Sequence, residues 1–351
     1  MSSGDPPVRS ADDDFRPPRW LRNHHLQSML ASTPWRHGRV LREAAPLLAA
    51  ARELLLECGD GVTLQCLLSR PAAQRGRPVV LLHGWEGSAD SYYVLSLAAL
   101  LFARGFDVLR LNLRDHGETH HLNQDLFHSC RLPEVVGAVR AVQQRYPGRP
   151  PYLIGFSLGG NFVLRVAAQA GPAQLQLAGV IAVSPVLDPA ATLVALQNGI
   201  PGYERYFVRK WLRSLRRKQA AWPDAYDFGP LARRRDLKLM TAELVRAHTE
   251  YPTLDDYLEG YAITGARLAG LAVPARIITS LDDPIIPAAG LAQLARPPAL
   301  TLTVTRRGGH CGFFERLGGE TWLERLILRQ LGAEATRAGT PVEAEVLGEN
   351  S

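Results

Sequence analysis

Tyr152-Leu153-Ile154-Gly155-Phe156-Ser157-Leu158-Gly159-Gly160-Asn161 decides the reading of this chain. Tyr152 to Gly155 is an apolar run that predicts a buried strand, and Asn161 to Ala170 carries a helical pattern. Between them, Gly155-Phe156-Ser157-Leu158-Gly159 has the form Gly-x-Ser-x-Gly. A strand that turns sharply into a helix holds the serine in a strained conformation and lifts its hydroxyl above the sheet. Glycines two residues to either side are needed where neighbouring backbone passes close. The following helix points its N-terminus at the serine, which favours developing negative charge. Ser157 is therefore the candidate nucleophile.

The elements around this turn repeat one pattern. Arg52 to Glu57 and Val62 to Leu68 flank Gly59-Asp60-Gly61, a hairpin signal. Pro78 to Leu82 is a continuous apolar run, as in a strand buried on both faces. Ser91 to Arg104 reads as a helix stopped by Gly105, Phe106 to Leu111 as a strand, Leu132 to Arg145 as a helix and Ala178 to Val183 as a strand. Strands alternating with helices of this length imply a doubly wound parallel sheet. The alternation pauses over about 187–268, which shows helical stretches and no strand. It resumes with a strand at Ala275 to Ser280, a helix around Leu291 to Leu294, a strand at Thr301 to Thr305 and a helix at Trp322 to Gln330. The expected class is α/β, of the α/β-hydrolase fold: a doubly wound, mostly parallel sheet with a helical cap insertion over the carboxyl ends of the strands, where such folds bind ligands. One domain is expected over 19–334. A polar, proline-rich arm at 1–18 and a tail at 335–351 flank it as disordered ends.

A serine hydroxyl is a weak nucleophile and needs a base. In this fold the chain order is serine, acid, histidine. His310, in Arg307-Gly308-Gly309-His310-Cys311-Gly312, follows the last strand and is the candidate general base. The acid should follow the preceding strand, where Asp282 and Asp283 stand together. The acid usually precedes by four residues the proline that opens the next helix, here Pro287. That favours Asp283, and leaves Asp282 as a turn or capping residue. Leu82-His83-Gly84-Trp85-Glu86-Gly87-Ser88 is the candidate oxyanion loop. The backbone N–H groups of Trp85 and Leu158 would bind the tetrahedral oxyanion. His83 is read as shaping this loop, and the Trp85 side chain as serving the acyl pocket. Arg114-Asp115-His116-Gly117-Glu118-Thr119 is read as a structural buttress. His116, His120, His121 and His128 lie in one irregular stretch with no helical pair and are read as solvated loop residues, not as metal ligands. His120 and Asp125 form a His-x4-Asp string seen in acyltransferases, a pattern loose enough to arise by chance.

The net charge of +6 is unevenly placed. Tyr203 to Lys218 mixes aromatics with seven basic residues, and the tail after Gly332 is acidic. Global charge therefore makes no case for nucleic acid. The basic segment reads as a solvated helix face, with peripheral contact to an anionic membrane surface as the rival reading. Cys58, Cys66, Cys130 and Cys311 have neither zinc nor redox spacing and are read as reduced thiols. The N-terminus lacks a basic stretch followed by an apolar core, and no segment reaches the roughly 18 apolar residues of a membrane span. A cytoplasmic chain without signal peptide or transmembrane segment is the expectation.

Several blocks carry a family resemblance across roughly residues 15–332. The chain resembles the YheT-like hydrolases of bacteria, in the AB hydrolase 4 family, a branch related to the ABHD-type lipases of animals. The most specific block is Asn23-His24-His25-Leu26-Gln27, similar to the family's opening of asparagine, any residue, histidine, leucine, glutamine. His83 to Ser88, Gly155 to Asn161, Asp282 to Pro284 and Gly309 to Phe313 also match. The resemblance implies a charge relay of Ser157, Asp283 and His310 and carboxylic-ester hydrolysis on acyl substrates. The segment Arg114 to Gly117 departs from the family by its extension through His120 and His121. The membrane anchor of the animal relatives has no counterpart in this sequence. The expectation is a serine esterase acting on a small acyl ester through an acyl-enzyme, with no metal or organic cofactor. An acyltransferase or thioesterase with the same triad is the alternative, and a non-catalytic binding protein a more distant one. Serine at the turn argues against dehalogenases and epoxide hydrolases that use aspartate there.

Overall fold

Short apolar runs and longer amphipathic ones sort this chain into a central sheet with helices on both faces. A computed structural model describes residues 15–32, 37–73 and 76–338. Its strands are β1 (Ala51–Glu57), β2 (Thr63–Ser69), β3 (Val79–Leu82), β4 (Val108–Leu111), β5 (Tyr152–Phe156), β6 (Gly179–Val183), β7 (Ala275–Ser280) and β8 (Leu300–Thr305). They form one sheet in the order β1-β2-β4-β3-β5-β6-β7-β8. Strand β1 pairs antiparallel with β2, and β2 antiparallel with β4, while all other neighbours are parallel. The sheet is thus mostly parallel, with the expected hairpin at one edge. The hairpin turn needs its glycines: Gly59 and Gly61 have φ of 91° and 72°.

The helices are α1 (His24–Ser32), α2 (His37–Ala49), α3 (Tyr92–Ala103), α4 (Leu132–Arg145), α5 (Leu158–Ala168), α6 (Pro189–Asn198), α7 (Pro201–Ala221), α8 (Leu237–His248), α9 (Leu254–Gly260) and α10 (Trp322–Ala338). Side chains alternate across a strand, so each central strand feeds two cores. Val79, Leu81 and Ile154 pack with Leu30, Val40, Leu97 and Ile327, from α1, α2, α3 and α10. Val80, Leu82 and Leu153 pack with Val139 and Phe162, from α4 and α5, in a core that runs on into the cap. That both faces of these strands are buried explains why they read as continuous apolar runs.

Helices α6 to α9 make up the insertion expected at 187–268, and the segment holds no strand. Helix α7 is fastened by Lys218, which is fully buried and donates to Asp115 Oδ1 (2.7 Å), Asn123 O (2.6 Å) and Asp125 O (2.9 Å). All three ammonium protons are used, which is what makes a buried lysine tolerable.

Four local readings need correction. The helix around Leu291 to Leu294 is only a 3-10 turn over Ala288–Gln293. Pro297 and Pro298 follow closely, and the residue before a proline is pushed to extended backbone. The helix after Ser157 starts at Leu158, not Asn161, so Gly159 and Gly160 fall in its first turn. Of the arm expected at 1–18, residues 15–18 are described and belong to the packed body. Phe15 is buried, with its ring 5.7 Å from Phe313 and 5.5 Å from Trp322. Residues 1–14 lie outside the described ones. Of the tail expected at 335–351, residues 335–338 continue α10, and 339–351 lie outside the described residues. The four cysteines are free thiols. No helix among the described residues is long and apolar enough to cross a membrane.

Phe15→Ala should cost about 3–5 kcal/mol by denaturant unfolding, as for other buried phenylalanines. Lys218→Met should cost a comparable amount, about 3–5 kcal/mol, because it leaves the Asp115 carboxylate buried and unpaired. Equal midpoints for wild type and Lys218→Met would show that the ion pair does not hold the cap.

Candidate active site

Strand β5 ends at Phe156 and α5 begins at Leu158, so Ser157 makes the turn alone. Its φ of 53° and ψ of −117° lie where an L-residue is strained, at a cost of order 1–3 kcal/mol. Neighbouring backbone holds it there. Ser157 N–H donates to Val183 O at 2.8 Å, and Ser157 O accepts from Asn161 N–H at 3.0 Å. A Cβ at Gly155 would sit 2.1 Å from Gly159 O, and one at Gly159 would sit 2.4 Å from His83 O. Both glycines are therefore required by contact of backbone with backbone. Asn161 is fully buried and donates to Val186 O (2.9 Å) and Tyr261 O (2.7 Å), which ties α5 to the cap.

The two aspartates after β7 do different things. Asp283 Oδ2 accepts from His310 Nδ1 at 2.8 Å, while its Oδ1 accepts from Ile285 N–H (2.8 Å) and Ile286 N–H (2.9 Å). Asp282 Oδ1 accepts from Gly309 N–H at 2.9 Å and so holds the loop that carries the histidine. Burial alone would depress the His310 imidazole. The facing Asp283 carboxylate outweighs that burial, and with Cys311 beside it lifts the imidazole well above its ordinary value. With Nδ1 donating to Asp283, Nε2 is the ring atom left to accept a proton.

The loop after β3 lies against this turn: a Cβ at Gly84 would be 3.1 Å from the Ser157 Cβ. Gly84 N–H donates to Tyr93 Oη at 2.9 Å. Trp85 N–H has no partner among the described residues. Leu158 is the first residue of a helix, where backbone N–H groups have no partner within the helix. Two histidines brace the loop. His83 Nε2 accepts from Leu113 N–H (3.2 Å) and Nδ1 donates to Gly84 O (2.7 Å). His116 Nε2 accepts from Glu86 N–H (3.2 Å) and Nδ1 donates to Arg114 O (2.7 Å). Each ring is thereby fixed as a neutral tautomer. Burial depresses both, His83 well below its ordinary value and His116 to about 4. Arg114 forks onto Glu134 at 2.6 and 3.1 Å, a buried support beneath the same segment.

The reading of four solvated loop histidines is corrected here. His116, His120 and His128 are buried, and His121 alone of the four is exposed. They do not gather. His120 Nε2 meets Ser214 Oγ at 2.9 Å, and His128 Nε2 lies 3.6 Å from Glu250. Burial depresses His120 and His128, each to about 3. Asp125 faces Arg131 at 3.6 Å, so His120 and Asp125 are not partners. The cause of the misreading is the cap, which covers a segment that would otherwise be a surface loop.

The basic segment is likewise more than a solvated face. Arg205, Arg209, Arg213, Arg216 and Arg217 are exposed, but the opposite face of α7 packs on the site. Lys210 Nζ donates to Glu86 O at 2.7 Å. Phe207 stacks on Trp85 at 5.3 Å, and Trp211 meets the same indole edge-on at 5.3 Å. Ser157, His310, Trp85 and Leu158 line one cavity of about 320 Å³, whose other walls include Phe127, Leu193, Leu196, Phe207 and Ile286. Sequence reasoning missed three contributors. Lys210 holds the Glu86 carbonyl, and Gln27 and Ser28 hold the histidine loop. Gln27-Ser28 did leave a signal: two adjacent polar residues in a short helix, between Leu26 and the apolar Met29-Leu30-Ala31.

Known proteins bear on this geometry. A family model described as the alpha/beta hydrolase fold matches residues 77–317. The chain is 28% identical over 332 residues to "Putative esterase YheT" of Escherichia coli (strain K12), spanning 91% of this chain and 93% of that protein. It is 26% identical to Protein ABHD15 of Homo sapiens, over 93% of this chain and 70% of that one. Among solved structures, the Pyrococcus furiosus esterase Pf2001 matches with a TM-score of 0.53 at 15% identity, covering 92% of this chain and 99% of the other, a likeness of fold. The family model spans most of the sheet, the turn at Ser157 and the His310 loop, and the chain belongs to the α/β-hydrolase fold family.

Proposed function

We propose that the protein is a serine hydrolase of carboxylic esters, within the YheT-like branch of its family, with Ser157, His310 and Asp283 as its catalytic residues. One observation carries the reading: His310, hydrogen-bonded to Asp283 at 2.8 Å, lines the same cavity as Ser157 on its strained turn. Ser157 Oγ attacks the ester carbonyl and passes its proton to His310 Nε2. The backbone N–H groups of Trp85 and Leu158 hold the tetrahedral oxyanion. Collapse expels the alcohol, which takes the proton from His310. Water then gives a proton to His310 and attacks the acyl-enzyme; collapse of the second tetrahedral intermediate releases the carboxylic acid and expels Ser157 Oγ, which takes the proton back from His310. Asp283 fixes the imidazole tautomer and stabilises the imidazolium throughout. The apolar and aromatic walls supplied by the cap favour a small acyl ester, and every step uses groups of the chain itself. Two basic side chains of α7, Lys210 and Lys218, are engaged inside the fold, so the segment 203–218 acts first as the roof of the site.

Ser157→Ala should lower turnover of a p-nitrophenyl ester by about a million-fold, since triad members act as a unit. It should also abolish labelling by a fluorophosphonate probe. Substantial turnover by Ser157→Ala would refute the assignment.

The pH dependence has a definite sign. His310 must be neutral to accept the proton, so kcat/KM should fall as pH drops through its pKa. Because Asp283 raises that pKa, the acid limb should lie above the ordinary histidine value of about 6.5. Asp283→Asn removes the carboxylate and leaves burial unopposed, so the limb should move to lower pH while kcat drops about ten-thousand-fold. A limb that stays in place in Asp283→Asn would mean that another group sets it.

A further inference from the structure

We propose that the N-terminal helix α1 belongs to the catalytic apparatus, with Ser28 and Gln27 as positioning residues for the loop that carries His310. This rests on the reading of His310 as the general base. The loop is gripped from two sides. On one side, the segment after β7 holds Gly309: Ser280 Oγ donates to Gly309 O at 3.0 Å and Asp282 accepts from Gly309 N–H. On the other side stands α1, nearly three hundred residues away in the sequence. Ser28 Oγ accepts from His310 N–H at 2.8 Å and donates to His24 O at 2.7 Å, which aims its lone pair at the histidine. Gln27 is fully buried. Its Nε2 donates to Leu21 O (2.8 Å) and Phe314 O (2.9 Å), and its Oε1 accepts from Phe314 N–H (2.7 Å). Both amide protons and the amide oxygen are thereby used.

The contact has no slack. A Cβ at Gly309 would lie 2.3 Å from His24 O, and one at Gly312 would lie 2.7 Å from Gln27 O. Backbone therefore presses on backbone along the whole loop. Cys311 and Phe313 have φ of 58° and 54°, a strain of order 1–3 kcal/mol each that persists only where the surroundings over-determine it. Helix α1 supplies part of those surroundings. It also reaches the cap, since His25 Nδ1 meets the Tyr203 hydroxyl at 3.0 Å. The helix thus joins the roof of the cavity to the loop of the base. A base displaced by about 1 Å can lose about a hundredfold in rate, so this grip acts on turnover rather than on substrate binding.

The test uses the full chain. Ser28→Ala should lower kcat on a p-nitrophenyl ester by about ten- to a hundredfold with KM unchanged, and slow fluorophosphonate labelling to match. Ser28→Thr keeps the hydroxyl and should recover most of the turnover. Independently of activity, an NMR titration of His310 should show its pKa falling toward the ordinary value in Ser28→Ala, as the ring drifts from Asp283. Wild-type kcat and an unmoved His310 titration in Ser28→Ala would overturn the proposal. So would a loss of activity that tracks only the loss of folded protein. Failure of the Ser157 reading shows separately, as equal turnover by wild type and Ser157→Ala, and leaves the His310 titration to decide the role of α1.

Discussion

Gly159 lies so close to the carbonyl of His83 that no side chain fits between them, and most of the site follows from that contact. It brings the turn after β5 against the loop after β3. These strands are neighbours at the place where the strand order changes direction, with β4 to one side of β3 and β5 to the other. A crevice at the carboxyl ends of the strands is expected at such a point. The contact forces Ser157 to positive φ, and the hydrogen bonds from Ser157 N–H to Val183 and from Asn161 N–H to Ser157 offset part of that cost. Burial of β5 on both faces supplies the rest of the hold.

The loop after β3 passes the constraint on to the cap. Trp85, in that loop, packs on α7, stacked on Phe207 and edge-on to Trp211. Lys210 and Lys218 then fasten α7 to backbone carbonyls and to Asp115. Burial pushes the Asp115 carboxyl up and the Lys218 ammonium down, so each depends on the other to stay charged. The roof of the cavity is therefore held by polar bonds as much as by apolar contact. Its inner surface is free to be aromatic, and the arginines that made the segment look like a surface feature face outward.

Much of this was legible in the sequence because the decisive signals are local. The run from Tyr152 to Asn161 contains its own strand, turn and helix start, and the glycines at 155 and 159 are there for contacts that the turn itself creates. Asp283 and His310 follow consecutive strands, so chain order, with the spacing of Asp283 to Pro287, marks them as candidates. What was not legible depended on distant partners. Helix α1 packs on α3 and on the loop around residue 310, and α2 packs on α3; the polar pair Gln27-Ser28 marks the place in the sequence but does not name its partner. His116, His120 and His128 looked exposed because their stretch is irregular; His120 and His128 meet the cap, about a hundred residues later, and His116 is covered by the loop after β3 and by Phe127. The 3-10 turn at Ala288–Gln293 has a simpler cause: its apolar residues suit a helix, but the paired prolines Pro297 and Pro298 follow closely and favour extended backbone before them.

Burial acts alike on the imidazoles of His83, His116 and His310, but their neighbours do not. His83 and His116 lie ring to ring at 4.8 Å, and each donates from Nδ1 to a backbone carbonyl, a partner too weak to offset the loss of water. Both are driven to lower pKa and serve as neutral braces of the loop after β3. His310 loses water too, yet it faces the Asp283 carboxylate, itself fixed by two backbone N–H groups, and is driven the other way. Of these three imidazoles, His310 is therefore the one that favours a proton. Removing the carboxylate would make the third imidazole resemble the other two, so the difference between His310 and the two braces lies in Asp283 and in whatever keeps His310 within 2.8 Å of it. That is why the supports of the His310 loop, Asp282 on one side and α1 on the other, matter to chemistry as well as to packing.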